Sequence, residues 1–129
     1  MNPQNVVVYP IVLHPEDAGG YSVEIPDVGN SWTQGDNALE ALEMAQDLIG
    51  TMLVDESTFP SATPFESLTV SSPAIKTLVE VDMLAFRKNH THIVRKNVSI
   101  PEYLNELGKK QGLNFSEVLT EALHDKLNA

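Results

Sequence analysis

Val94-Arg95-Lys96-Asn97-Val98-Ser99-Ile100 runs directly into Pro101, after which the pattern turns helical. Pro101 suits a first helical position, where its missing N–H costs nothing. Tyr103, Leu104 and Leu107 give that helix an apolar side, and Gly112 is a stop after Lys109-Lys110-Gln111. Asn114 then caps a second helix, with Glu117 three residues on as its reciprocal partner. Phe115, Val118, Leu119, Ala122, Leu123 and Leu127 form its buried side. One strand and two helices in about 35 residues are too little to bury a core alone. The unit is therefore expected to pair with a copy of itself through residues 94–100. Alternate strand side chains face opposite ways. Val98 and Ile100 should turn onto the helices, leaving Arg95, Asn97 and Ser99 together outside. A donor fork, an amide and a hydroxyl can bond base edges in a DNA major groove. The second helix's N-terminal amides, from Asn114 through Ser116, could hold a phosphate, though Glu117 competes for them.

Charge divides the chain at nearly the same place. Residues 1–86 hold one basic residue, Lys76, against 13 acidic ones, a balance of −12. Residues 87–129 hold seven basic residues against five acidic, and the whole chain is −10. The acidic body repels phosphate and attracts a basic partner, whereas the tail can approach DNA. With 129 residues and 42% hydrophobic content, the chain can form one domain or two small ones. It has no cysteine, no basic leader before an apolar stretch and no apolar run long enough to span a bilayer. A cytoplasmic protein is the simplest expectation.

The acidic part reads β-β-β-α-β. Val6–Leu13 is a strand, with Pro10 pointing to an edge position or a bulge. Tyr21–Ile25 alternates cleanly as a second, and Ser31-Trp32-Thr33 is a short third. Asp36 or Asn37 opens a helix whose apolar positions run from Ala38 to Leu53. A Ser/Thr/Pro-containing loop follows, with a brief extended piece over 67–70. Ile75–Asp82 is the fourth strand, and Met83–Phe86 a short helical turn. One helix on one face of a mostly antiparallel sheet makes an α+β domain over 1–86. Residues 87–91, polar and basic, read as a linker, and 92–129 as the second domain.

Enzyme chemistry finds little support. Asp17, Glu24, Asp27 and Asp36 could be offered as a metal-binding carboxylate cluster, but Asp27 and Asp36 occupy loop or cap positions where aspartate serves conformation. His90-Thr91-His92 supplies two imidazoles, too few for a structural zinc site, and reads as solvated linker. No Gly-x-Ser-x-Gly and no phosphate-cradling glycine loop occurs. Trp32 reads as core or rim packing; exposed, it would suit an interface.

Two resemblances emerge from these motifs. Arg95-Lys96-Asn97-Val98-Ser99-Ile100-Pro101 with Gly112-Leu113-Asn114-Phe115-Ser116-Glu117 resembles ribbon-helix-helix repressors of the Arc/MetJ type. Tyr21-Ser22-Val23-Glu24-Ile25-Pro26-Asp27-Val28, Thr33-Gln34-Gly35-Asp36 and Glu40-Ala41-Leu42-Glu43-Met44-Ala45 together look like the HicB antitoxin domain. The combination implies a degenerate ribonuclease H-like domain that blocks a HicA-type mRNA-cleaving toxin, and a homodimeric tail that binds operator DNA and represses its own operon. It implies no catalytic residue, metal or cofactor. By position Arg95, Asn97 and Ser99 match the family's base-reading strand. Toxin contacts are expected near an exposed sheet edge and acidic loop, at Tyr21, Glu24, Asp27 and Val28. The alternative is a ribbon-helix-helix repressor whose N-terminal domain senses a small ligand.

Overall fold

The computed structural model describes residues 5–90 and 92–129. The chain divides between Thr91 and His92 into two compact units.

In the first unit, β1 (Val6–Pro15), β2 (Tyr21–Ile25) and β3 (Ser31–Gly35) precede α1 (Ala38–Leu53). A long strap then leads through a single 3-10 turn (Phe65–Ser67) to β4 (Ile75–Asp82) and α2 (Met83–His90). The sheet order is β3-β2-β1-β4, antiparallel throughout. The two prolines of β1 fit this order through its pairing limits. β2 pairs only with Val12–Pro15 and β4 only with Val6–Leu13. Pro10 thus lies beyond the end of β2, and Pro15 beyond the start of β4. Backbone N–H groups alternate sides along a strand, so residues 10 and 15, of opposite parity, can each turn the missing donor to an open flank. The edge expected from Pro10 is therefore local, within a strand that is internal to the sheet.

One face of the sheet carries the core. Val7, Tyr9, Ile11 and Leu13 of β1 alternate onto it, joined by Val23 and Ile25 of β2 and Val79 and Val81 of β4. Helix α1 answers with Ala41, Ala45, Ile49 and Leu53, a four-residue spacing that makes one stripe. Burying each larger aliphatic side chain contributes about 1.5–3 kcal/mol. Small residues set how closely the layers approach. A Cβ on Gly35 would lie 2.3 Å from the Ala41 nitrogen, and one on Gly50 would lie 2.4 Å from the Phe86 ring. Of the two cap candidates it is Asn37 that caps α1, its Oδ1 accepting the Glu40 N–H at 2.9 Å.

Two local expectations are corrected here. Residues 67–70 form no strand; the 3-10 turn stands at their start. Residues 87–90 are not linker but the second half of α2. Arg87 donates from Nε to the Val54 carbonyl and from its guanidinium to the Glu56 carbonyl. His90 stacks on Phe86 at 3.9 Å between ring centroids and approaches Asp47. His90 is thus folded against the first unit, while Thr91, the remainder of the expected linker, lies outside the described residues.

The second unit is a helical hairpin, α3 (Glu102–Lys110) and α4 (Phe115–Leu127). Pro101 stands one place before the expected first helical position, at the cap itself. At the turn Gly112 takes φ +67, the Leu113 N–H bonds the Gly108 carbonyl and the Gly112 N–H bonds that of Lys109. That pairing closes the α3 C-terminus as a Schellman motif. Asn114 Oδ1 accepts the Glu117 N–H at 3.1 Å, starting α4. The Phe115 ring lies against Gly108, where a Cβ would come within 2.6 Å of it. Residues 92–100 form neither helix nor ladder. The strand expected over 94–100 is absent from the single chain, because a strand needs a hydrogen-bonded neighbour and the helical hairpin supplies none.

Candidate functional site

Strand register decides which side chains share the sheet face turned away from α1. Val12 pairs with Glu24 and with Lys76, and Glu24 pairs with Trp32, so these four share it. There His14 stacks on Trp32 with centroids 5.2 Å apart and planes at 29°. Its Nε2–H reaches Glu24 Oε1 at 3.1 Å, so imidazole, indole and carboxylate hold one another in place. Trp32 remains 54% exposed. Beside this trio an open groove of about 370 Å³ runs between Val12, His14, Glu24 and Pro26 and the strap segment Leu68–Ala74.

The strap is pinned at three points. Tyr9 Oη donates to the Pro60 carbonyl at 2.7 Å. Asp27 accepts the Thr63 N–H at 2.8 Å and the Thr63 hydroxyl at 2.7 Å. Lys76 Nζ donates to the Phe65 and Leu68 carbonyls while lying 4.5 Å from the Phe65 ring centroid. Burial, reinforced by the Asp27 carboxylate, raises the pKa of the Tyr9 phenol above its ordinary 10.0.

These facts redistribute the four expected toxin contacts. Val28 is 2% exposed and belongs to the core, so it cannot present itself to a partner. Tyr21 is half-buried and packs on the core, on the α1 side. Asp27 is engaged by Thr63. Glu24 alone of the four lies on the outer sheet face, beside His14 and Trp32. The acidic alternation of β2 was readable in the sequence, but its pairing with Trp32 depends on hairpin register. The missed signal was register: Trp32 falls opposite Glu24 if the hairpin closes through the five residues 26–30, where Gly29 and Asn30 both take positive φ.

In the tail Arg95, Asn97 and Ser99 are all exposed. Asn114 is occupied as the α4 cap, and Ser116 is exposed in the first turn, its carbonyl accepting the Thr120 hydroxyl at 2.8 Å. The apolar side of the hairpin finds no cover: Leu104, Leu107, Phe115, Val118, Leu119 and Leu123 stay between 37% and 50% exposed. Among the described residues no group of three or more His, Asp or Glu side chains is placed to hold a metal, and no helix is long and apolar enough to cross a membrane.

Residues 9–113 match the family model described as a HicB-like antitoxin of bacterial toxin–antitoxin systems. A Photorhabdus laumondii protein named antitoxin HicB 1 is 51% identical over 43 residues, covering 33% of this chain and 28% of that protein. Antitoxin HicB of Escherichia coli K12 is 35% identical over 63 residues, 46% of each chain. These matches span less than half of either curated relative. An uncharacterised 14.9 kDa protein of Haemophilus phage HP1 is 30% identical over 110 residues, 76% of each. Among solved structures, a chain of a toxin–antitoxin complex from Streptococcus pneumoniae is 29% identical with TM-score 0.58, covering 94% of this chain and 99% of that one. The Burkholderia pseudomallei antitoxin HicB shares the fold at TM-score 0.50 and 23% identity, covering 90% and 95%. An α+β unit with Trp32 exposed on its outer sheet face, joined to a helical hairpin and matched by one family model across the join, leads to one assignment: this chain belongs to the HicB-like antitoxin family of bacterial toxin–antitoxin systems.

Proposed function

We propose that this protein neutralises a HicA-type mRNA-cleaving toxin through residues 5–90 and represses its own operon through a dimer of residues 92–129. The observation that carries the reading is the family match over residues 9–113, which runs from the sheet into the tail hairpin. The acidic unit acts by occlusion: it steers a basic ribonuclease by charge and covers its RNA-binding surface, needing no catalytic group of its own. The outer sheet face, with exposed Trp32 flanked by His14 and Glu24, is the docking surface, an aromatic anchor within a polar rim. We also read the β-β-β-α-β order as the degenerate ribonuclease H-like core, working in the cytoplasm.

In the tail, residues 94–100 of two copies supply each other's missing ladder and form the ribbon. The uncovered Leu/Val/Phe surfaces of the two hairpins close into a shared core, which supports pairing from the energetic side. Arg95, Asn97 and Ser99 then face the major groove, and the α4 N-termini at Asn114 and Ser116 face phosphates.

Coexpression with the product of the adjacent gene tests the toxin half. A complex is expected to copurify, and Trp32→Ala should weaken it about 30-fold, from roughly 2 kcal/mol for a central aromatic anchor, with unchanged thermal stability. Absence of any complex from the unchanged chain would defeat this reading. The groove beside His14 favours a second reading, a small-ligand sensor. A copurifying metabolite that releases operator DNA would establish it.

A further inference from the structure

Glu24 is the single carboxylate that the groove beside His14 presents. Its side chain is 28% exposed, and a charge partly withdrawn from water is costly without a counter-ion. Within the protein its Oε1 accepts the His14 Nε2–H, a donor that carries no charge while the imidazole is neutral. Among the described residues no lysine or arginine comes within ion-pair range of it. Lys76, the single basic residue of residues 1–86, shares the outer face but is bonded to the Phe65 and Leu68 carbonyls. Glu24 therefore keeps accepting capacity at Oε2 for a group from outside the chain. The rest of the groove is apolar: Val12, Pro26, Leu68 and Pro73 wall a space of about 370 Å³, enough for one long side chain. Aliphatic walls that end at one uncompensated carboxylate fit an amphipathic side chain, whose methylenes lie along apolar surface while its charged head meets the counter-ion. The His14 ring adds a flat surface beside that carboxylate. A planar guanidinium can lie on it and still turn two N–H groups to the carboxylate, whereas an ammonium offers a point charge.

We propose that this groove receives an arginine side chain of the toxin, its stem between the sheet and the strap and its guanidinium on Glu24 and His14. The inference rests on the outer face being the toxin-docking surface, and it names the chemistry by which that surface is read. Charge complementarity argues for this occupant: residues 1–86 balance at −12, so a partner drawn to this unit is basic. Trp32, stacked on His14, then has two parts. It meets the partner itself, and it keeps the imidazole in place beside the groove.

The test uses the full chain. Trp32 is its sole tryptophan, so selectively excited tryptophan fluorescence reports on this site alone. Titration with N-acetyl-arginine methylamide should change that emission and saturate in the millimolar range, as befits one isolated side chain. The citrulline counterpart, near in shape but uncharged, and the lysine counterpart should not saturate over the same range. Glu24→Gln should weaken the arginine response at least about 10-fold, from the loss of a charged acceptor. That change also disturbs His14, so Ser71→Phe is the second variant. It blocks the groove from an exposed position of the strap, beyond the strap's anchors, and should abolish saturation with Tm unchanged. In the complex with the adjacent gene's product, Glu24→Lys should lower affinity at least about 10-fold, and changing one of the toxin's arginines to glutamate should restore it, because opposite charges again meet. A toxin that fails to bind the unchanged chain overturns the docking reading and this inference together. A toxin that binds but ignores both Glu24→Lys and Ser71→Phe, or equal responses to the arginine and citrulline probes, overturns this inference alone.

Discussion

Asp27→Ala separates a structural role from a binding one. Asp27 accepts two hydrogen bonds from Thr63, 36 residues away, and these tie the strap to the β2–β3 loop. Bonds to a charged acceptor contribute about 1.5–3 kcal/mol when fully buried, but both residues are part-exposed and water recovers some of the loss. A net cost of about 2 kcal/mol follows, close to a 30-fold change in the folding equilibrium. For a unit of this size that lowers Tm by roughly 10 °C. Near-ultraviolet circular dichroism during heating reads it directly, and limited proteolysis should cut first between residues 54 and 74. Thr63→Val removes only the hydroxyl bond, and the double variant should cost less than the sum of the singles, since both act on one contact. An unchanged Tm, together with a large loss of toxin affinity, would refute the argument and return Asp27 to the toxin surface.

Three further expectations rest on separate contacts. Tyr9 holds its proton more tightly folded than unfolded, so its contribution to stability is complete below the ordinary pKa of 10.0 and is lost as pH rises beyond it; Tyr9→Phe should flatten the alkaline limb of a urea-midpoint profile at a cost of about 1 kcal/mol at neutral pH, from the lost Pro60 bond. Gly50→Ala drives a methyl into the Phe86 ring and should destabilise by about 1–3 kcal/mol, with faster amide exchange along residues 85–90. Asn97→Ala should leave the dimer intact and non-specific DNA affinity unchanged, while discrimination between operator and random sequence falls by about 1–3 kcal/mol in a binding titration.

The elements governed by local pattern were readable in the sequence. Alternation placed β2 and β4, the apolar stripe placed α1, and the cap chemistry of Asn37 and Asn114 marked both helix starts. Longer-range contacts were not. The second half of α2 is polar and reads as linker; it is held by Phe86 on Gly50, by Arg87 on the carbonyls of residues 54 and 56, and by His90 on Phe86. Nothing in Arg87-Lys88-Asn89-His90 announces those partners. The spread of the expected toxin contacts over different surfaces was hidden for the same reason. Tyr21, Glu24, Asp27 and Val28 are neighbours along the chain, but the alternation of β2 and the turn after it send them to different sides. The ribbon we propose for the tail would be a property of two chains, so its ladder is not to be found in a single one.

The pinning of the strap has a consequence for divergence. Its anchors, at Pro60, Thr63, Phe65 and Leu68, all precede the stretch from Thr69 to Ala74 that borders the groove beside His14. Substitutions in that stretch reshape the rim without loosening any anchor or entering the hydrophobic interior. If the toxin docks on the outer face as proposed, duplicated copies of such a gene could drift toward different cognates by changing a handful of rim positions while the scaffold stayed the same.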